Sequence, residues 1–246
     1  MSLLHEKQSS TGDPQNRRSE TTITTSNLIR LAGLSALLAG ICYVLVGILH
    51  PPNVASSVTS TRWAIVHVLA CATCFFGLLG VAGLYARHAT KSGWLGLVGF
   101  VLFSLWLVLI MGFSFIEVLI LPRLASAEPS FVVSWMGMLT GSASTFNLGA
   151  LPTVWTLTAP IYMLGGLLFG IAIFRSGILP RWAGWAGILL AIGTVSAPVA
   201  ALLPNANQPE SAIPVGLALA LLGYALWSEQ RAETSRTRQP RNSKSL

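Results

Sequence analysis

Six apolar runs, each close to the length that crosses a bilayer, restrict this chain's fold more than any other feature. They are Leu28–Leu49, Trp63–Tyr85, Trp94–Leu121, Pro152–Phe174, Trp182–Leu203 and Ile213–Trp227. A helix rises 1.5 Å per residue, so about 20 residues cover roughly 30 Å of hydrocarbon. The runs are rich in Leu, Gly and Ala and lack the period-two alternation of a barrel strand. Backbone polar groups in lipid must be satisfied within the segment, which makes helices the expected spanning structure. The third run is long and is expected to tilt or project from the bilayer, and the sixth is short. The expected fold is an all-α, polytopic bundle of six transmembrane helices.

Charge supports that reading. Only 9% of residues are charged and the mean hydropathy is +0.67, whereas a soluble domain carries about 25% charged residues. So few charges cannot cover a globular surface, and the expected solvent is the lipid bilayer. The net charge is +7, but most basic residues lie in the tails and short loops. There they favour an anionic cytoplasmic leaflet and not nucleic acid.

The same residues set an orientation. With the N-terminus inside, Lys7, Arg17, Arg18, Arg30, Arg87, Lys91, Arg175, Arg181 and the basic C-terminal tail are all cytoplasmic, and only Arg62 and Arg123 fall outside. Both termini are then cytoplasmic. Trp63 and Trp155 fall at outer helix ends, and Trp94, Trp182, Trp185 and Trp227 at inner ends, as interfacial indoles prefer. Residues 1–27 are polar, are expected to be disordered, and contain no apolar region of a secretory signal. Residues 28–228 form the transmembrane domain, and 229–246 a second disordered, basic cytoplasmic tail. Between Pro122 and Leu151, the apolar stretch 131–146 is too short to span. It reads as an interfacial or re-entrant helix, or as an ordinary loop.

Small residues recur at helical spacing: Gly33, Gly40 and Gly47 with Ala36, then Gly77, Gly80 and Gly83, then Gly93, Gly96 and Gly99. They let helix backbones approach closely and speak for packing, not chemistry. Gly77 to Arg87 with Trp94 and Gly96 is echoed by Gly166 to Arg175 with Trp182 and Gly184. That is either a parallel repeat or convergent membrane composition.

Candidate chemistry is sparse. Cys71 and Cys74 form a C-x-x-C on one helical stripe with His67, and Cys42 lies at similar depth. A redox pair or soft-metal site is one reading. The other is that cysteine serves as a small buried hydrophobe. His50, Arg62, His67, Glu117 and Arg123 all fall near the outer interface. Glu117 is the one acidic residue inside any of the six runs. It is expected to face the other four within the bundle and to wall an outward polar pocket. Snorkelling to water is the plainer alternative. Neither a Walker A loop, a G-x-S-x-G elbow, an H-E-x-x-H nor an EF-hand is present.

The openings Arg30-Leu-Ala-Gly33 and Arg181-Trp-Ala-Gly-Trp185, the exit Leu49-His-Pro-Pro52 and the segment Pro214-Val-Gly-Leu-Ala218 resemble those of uncharacterised bacterial multi-pass membrane proteins. The resemblance spans roughly residues 28 to 227. It implies a polytopic helical fold in the bacterial plasma membrane and carries no activity. The expected function is binding of a small ligand, ion or lipid in the outer pocket, without cofactor or metal. The alternatives are a membrane-embedded redox or metal-dependent enzyme, or a scaffold presenting its tails to a cytoplasmic protein.

Overall fold

A computed structural model describes residues 24–143, 145–200 and 212–238 of the chain. The fold is all-α, with no strand among the described residues. The described residues form seven α-helices in order: α1 (Thr25–Leu49), α2 (Thr61–Phe115), α3 (Leu121–Ala127), α4 (Pro129–Thr140), α5 (Leu151–Ser176), α6 (Arg181–Ala200) and α7 (Ala212–Arg238). Among the described residues, four helical stretches are long and apolar enough to cross a membrane: Thr25–Leu49, Thr61–Ala127, Leu151–Ser176 and Ala212–Glu229.

The second stretch is not one rod. Gly93 adopts φ 55° and ψ −154° inside α2, a conformation that side-chain-bearing residues avoid. The chain folds back there with almost no loop. Trp63 then meets Glu117, Gly77 meets Leu107 and Tyr85 stacks on Phe100, so the two limbs run antiparallel. At the far end the second limb passes into a π-helical turn at Ile116–Ile120. The third apolar run therefore does not end as a regular α-helix but widens into the π turn and continues as α3 to Ala127. Pro122 supplies the reason: it has no N–H and its ring crowds the carbonyl four residues back.

Helices adjacent in sequence pack side by side, and α7 closes the ring against α1. Small residues set the close contacts. Gly33 and Gly40 of α1 abut Gly223 and Gly216 of α7, a ladder with the same seven-residue step on both helices. Gly80 abuts Ala36, Gly165 abuts Phe103 of the second α2 limb, and Gly170 abuts Gly187 of α6. A β-carbon at Gly80 would lie 2.6 Å from Ala36, so backbone and not a flexible side chain occupies the space. The outward faces are equally apolar. Leu28, Leu31, Leu34, Leu38, Ile41, Leu45 and Ile48 form an exposed stripe along α1. Small residues thus set the helix–helix contacts while large apolar side chains cover the outward face of α1.

The segment 131–146 contributes α4, which rests on the α1–α2 connection, α3 and the start of α5. Val132, Trp135, Met136 and Leu139 of α4 are buried against Val58, Trp63, Phe113 and Leu121. Buried Ser134 accepts the backbone N–H groups of Thr145 and Phe146, tying the following loop back over the helix. At the opposite end α7 continues past Trp227 to Arg238. Helix thus covers the first residues of the tail expected to begin at 229, and Glu229 is paired to Arg87 at 2.5 Å. Most of the first tail and the end of the second lie outside the described residues.

Candidate functional site

The π turn is where the site begins. In a regular helix the N–H of Leu121 would bond the carbonyl of Glu117. Here it bonds that of Ile116. In the π register the N–H of residue 122 would serve instead, but residue 122 is proline. The Glu117 carbonyl is therefore orphaned, and the indole of Trp63 fills the gap, donating Nε1–H at 2.8 Å. Trp63 is fully buried. This corrects its expected role as an interfacial anchor.

The Glu117 side chain turns into the bundle and is 10% exposed. Its Oε2 lies 3.1 Å from His67 Nε2. Its Oε1 accepts Trp135 Nε1–H from α4 at 3.3 Å. The other imidazole nitrogen, His67 Nδ1, lies 2.8 Å from the Trp63 carbonyl and must donate to it. This fixes the proton count. With Nδ1 already carrying a hydrogen, the contact between Nε2 and Oε2 needs one further proton. The pair is either imidazolium with carboxylate or neutral imidazole with carboxylic acid, and its net charge is zero both ways.

His50 stands beside this pair, its ring 5.4 Å from that of His67 and 6.0 Å from that of Trp63. Its Nδ1 donates to the Pro51 carbonyl at 2.6 Å. Burial lowers the His50 pKa below the usual histidine range, against the opposing pull of that hydrogen bond and of Glu117. His50 is thus neutral at pH 7 and does not neutralise the carboxylate.

Glu117, His67 and His50 line a cavity of about 600 Å³. Along the second α2 limb its wall is Trp106, Ile110, Phe113, Ser114 and Glu117, one face of a helix. Eleven helical steps separate Trp106 from Glu117, about 16 Å. Tyr43 and Tyr162 lie at the Trp106 end. The Trp106 ring centroid is 4.3 Å from that of Tyr162 and 6.1 Å from that of Tyr43. The Tyr162 hydroxyl is buried and makes no hydrogen bond of good geometry, with the Tyr43 hydroxyl facing it. On α5, Trp155, Thr158 and Ala159 add to the wall, as do Met138, Leu139 and Thr140 of α4 and Gly141 just after it. Pro160 cannot donate to the Thr156 carbonyl, so a polar backbone atom is freed at a residue that also lines the cavity.

Of the five residues singled out from sequence, three come together. Arg62 is exposed and donates Nε–H to the Leu49 carbonyl at 2.6 Å, capping α1. Arg123 is exposed on α3. Neither lines the cavity. Both share Glu117's depth in the sequence reading, but each projects from the outward side of its helix. The cysteines do not join the site either. Cys42 and Cys71 are half-buried and Cys74 is buried, all three free. His67 is turned to Glu117 instead. Among the described residues no group of three His, Cys, Asp or Glu side chains is arranged to hold a metal ion. Trp135, Tyr43, Trp106 and Tyr162 escaped the sequence reading. Aromatic residues in apolar runs are ordinary, and only Trp135's place in the short segment between runs could have drawn attention. Compared with known protein families, curated proteins and solved structures, the chain matches none.

Proposed function

We propose that this chain is a six-span protein of the bacterial plasma membrane, both termini cytoplasmic, that binds a small organic ligand in the cavity at its outward end. The observation that carries the reading is the cavity itself. It is large enough for a small organic molecule, lined mainly by aromatic and aliphatic side chains, and has one buried hydrogen-bonded pair at a fixed place. The apolar outward faces and the fold-back at Gly93 support six spans. The clustering of Arg30, Arg87, Lys91, Arg175 and Arg181 at the end away from His50 supports the orientation.

Two measurements test this. Reporter fusions after Asn27, Arg175 and Arg238 should report cytoplasm, and one after Asn147 the outside; an external signal at either terminus ends the orientation. For the cavity, the neutral fluorophore N-phenyl-1-naphthylamine should brighten on binding the purified protein in phosphatidylcholine nanodiscs. The substitution Ala70→Trp, which fills the cavity from α2, should abolish the signal. An unchanged signal in a folded Ala70→Trp protein would show that the dye sits elsewhere.

A further inference from the structure

We infer that the cavity takes a bulky aromatic or aliphatic organic cation, and that the cation displaces the proton shared by His67 and Glu117. The inference rests on the cavity reading above and names its ligand class. Charge comes first. The described lining contains one carboxylate, Glu117, and no Lys, Arg or Asp. Among the described residues, Glu117's one charge-capable partner is an imidazole, which can lose its charge, unlike the guanidinium that holds Glu229. An anionic ligand would meet a carboxylate and no fixed cation. A neutral ligand would leave the buried pair unused.

The shape of the cavity points the same way. Tyr43, Trp106 and Tyr162 gather their rings at one end, and Phe113 and Trp155, with centroids 5.2 Å apart, stand nearer Glu117. Aromatic faces attract cations and give apolar bodies a large contact area. At the far end the buried Tyr162 hydroxyl faces that of Tyr43, so the ring end of the cavity is polar at these two atoms. A ligand about as long as the 16 Å wall can place its charge by Glu117 and its body against the rings.

The proton balance follows from the hydrogen bonds. Before binding, His67 Nδ1–H is committed to the Trp63 carbonyl and one more proton lies between Nε2 and Oε2. When a cation settles against the carboxylate, that second proton adds a like charge to a dry site, and repulsion expels it. The site then holds a carboxylate, a neutral imidazole and the cation, and the proton leaves to water through the cavity mouth. One cation enters and one proton leaves, so the site's net charge is unchanged. The other groups facing the pair do not blunt the exchange. His50, from the end of α1, is neutral at pH 7. Arg62, on the first limb of α2, is exposed and committed to the Leu49 carbonyl. The Cys71 thiol is the remaining titratable group near Glu117 on α2. From α4 the nearest group is the Trp135 indole, and from α5 the hydroxyls of Thr158 and Tyr162, none of them charged.

The test is calorimetric titration of the full chain, in phosphatidylcholine nanodiscs, with tetraphenylphosphonium. This aromatic cation is permanently charged and has no proton of its own. Empty nanodiscs supply the blank. Titrations in two buffers of different ionisation enthalpy should show one proton released per cation bound. Affinity should rise up to tenfold per pH unit while the pair is protonated. In Glu117→Gln the release should vanish and tetraphenylphosphonium affinity should fall at least tenfold, while N-phenyl-1-naphthylamine binding persists. Tetraphenylphosphonium binding without proton release, or with proton uptake, overturns the exchange even if no variant folds. Binding of the neutral dye but not of tetraphenylphosphonium overturns the cation and leaves the cavity reading standing. Failure of both overturns the cavity reading as well.

Discussion

Two histidines on the first limb of α2 make the same local bond and meet opposite fates. His67 Nδ1 donates to the carbonyl of Trp63, four residues back, and His88 Nδ1 donates likewise to that of Leu84. Both are buried, 3% and 1% exposed. At one end of the bundle His67 Nε2 finds Glu117, whereas at the other His88 Nε2 finds no partner among the described residues. The carboxylate near His88, Glu229, is held instead by Arg87 through both oxygens, and that pair is about a quarter exposed. One end thus has a dry carboxylate with a partner of changeable charge. The other has a half-wet carboxylate with a permanent cation. The first arrangement can exchange a proton; the second can only pin α7 to α2.

The largest expected effect lies in what supports the dry end. Trp63→Ala removes a fully buried indole, the only donor found for the Glu117 carbonyl, and the ring that lies 4.1 Å from His67. A loss of about 3–5 kcal/mol is expected, read as a large fall in thermal unfolding temperature. A cost below about 1 kcal/mol would mean that the π turn does not depend on Trp63. Next comes Glu117→Ala. His67 can shed its charge, so the full cost of an unpaired buried ion does not arise. What remains is a buried Nε2 and the Trp135 indole without their partner, about 1–3 kcal/mol. A double-mutant cycle should place the coupling between Glu117 and His67, at 0.5 kcal/mol or more. Coupling of that size to Arg62 or Arg123 would contradict the observed geometry.

The apolar helices and their small-residue contacts were legible in the sequence because they depend on local composition. Run length, glycine spacing and a lone acid in an apolar run are properties of short windows. Glu117 was conspicuous for that reason, and His67 lay at matching depth. Depth, however, does not say which way a side chain faces. Arg62 stands five residues before His67 on the same helix and yet bonds outward to Leu49. The α7 half of the glycine ladder was also present in the sequence, but Gly216 and Gly223 gain meaning only once α7 lies against α1. The π turn required accounting for backbone bonds around Pro122. The covering helix and the Tyr43, Trp106 and Tyr162 cluster depend on contacts between residues far apart in sequence, such as Trp135 with Glu117, Tyr43 with Trp106 and Trp106 with Tyr162, which no local pattern encodes.

The half-wet pair should matter less. Arg87→Ala or Glu229→Ala is expected to cost at most about 1 kcal/mol, and about 0.5 M salt should erase most of it. The same salt should change the cost of Glu117→Ala less, because both side chains of that pair are at most 10% exposed. Equal salt sensitivity at the two ends, measured by thermal unfolding, would dissolve the distinction between them.

The smallest effect is also the most discriminating. His88→Leu should be neutral or slightly stabilising. His88 Nε2 is buried without a partner in the described structure, so the wild-type side chain already bears a desolvation cost that leucine does not. The lost Nδ1 bond orphans nothing, because the Leu84 carbonyl keeps its helical bond from the residue-88 backbone. Leucine is also the better helix former by a few tenths of a kcal/mol. The same change at the other end, His67→Leu, strands the Glu117 carboxyl in a buried site and should cost about 1–3 kcal/mol. Thermal unfolding of the two single variants, measured side by side, therefore separates the histidines by sign and not merely by size. If His88→Leu cost as much as His67→Leu, His88 would have a partner of its own. The Arg87 end would then hold a second buried polar site and could not be described as a simple staple.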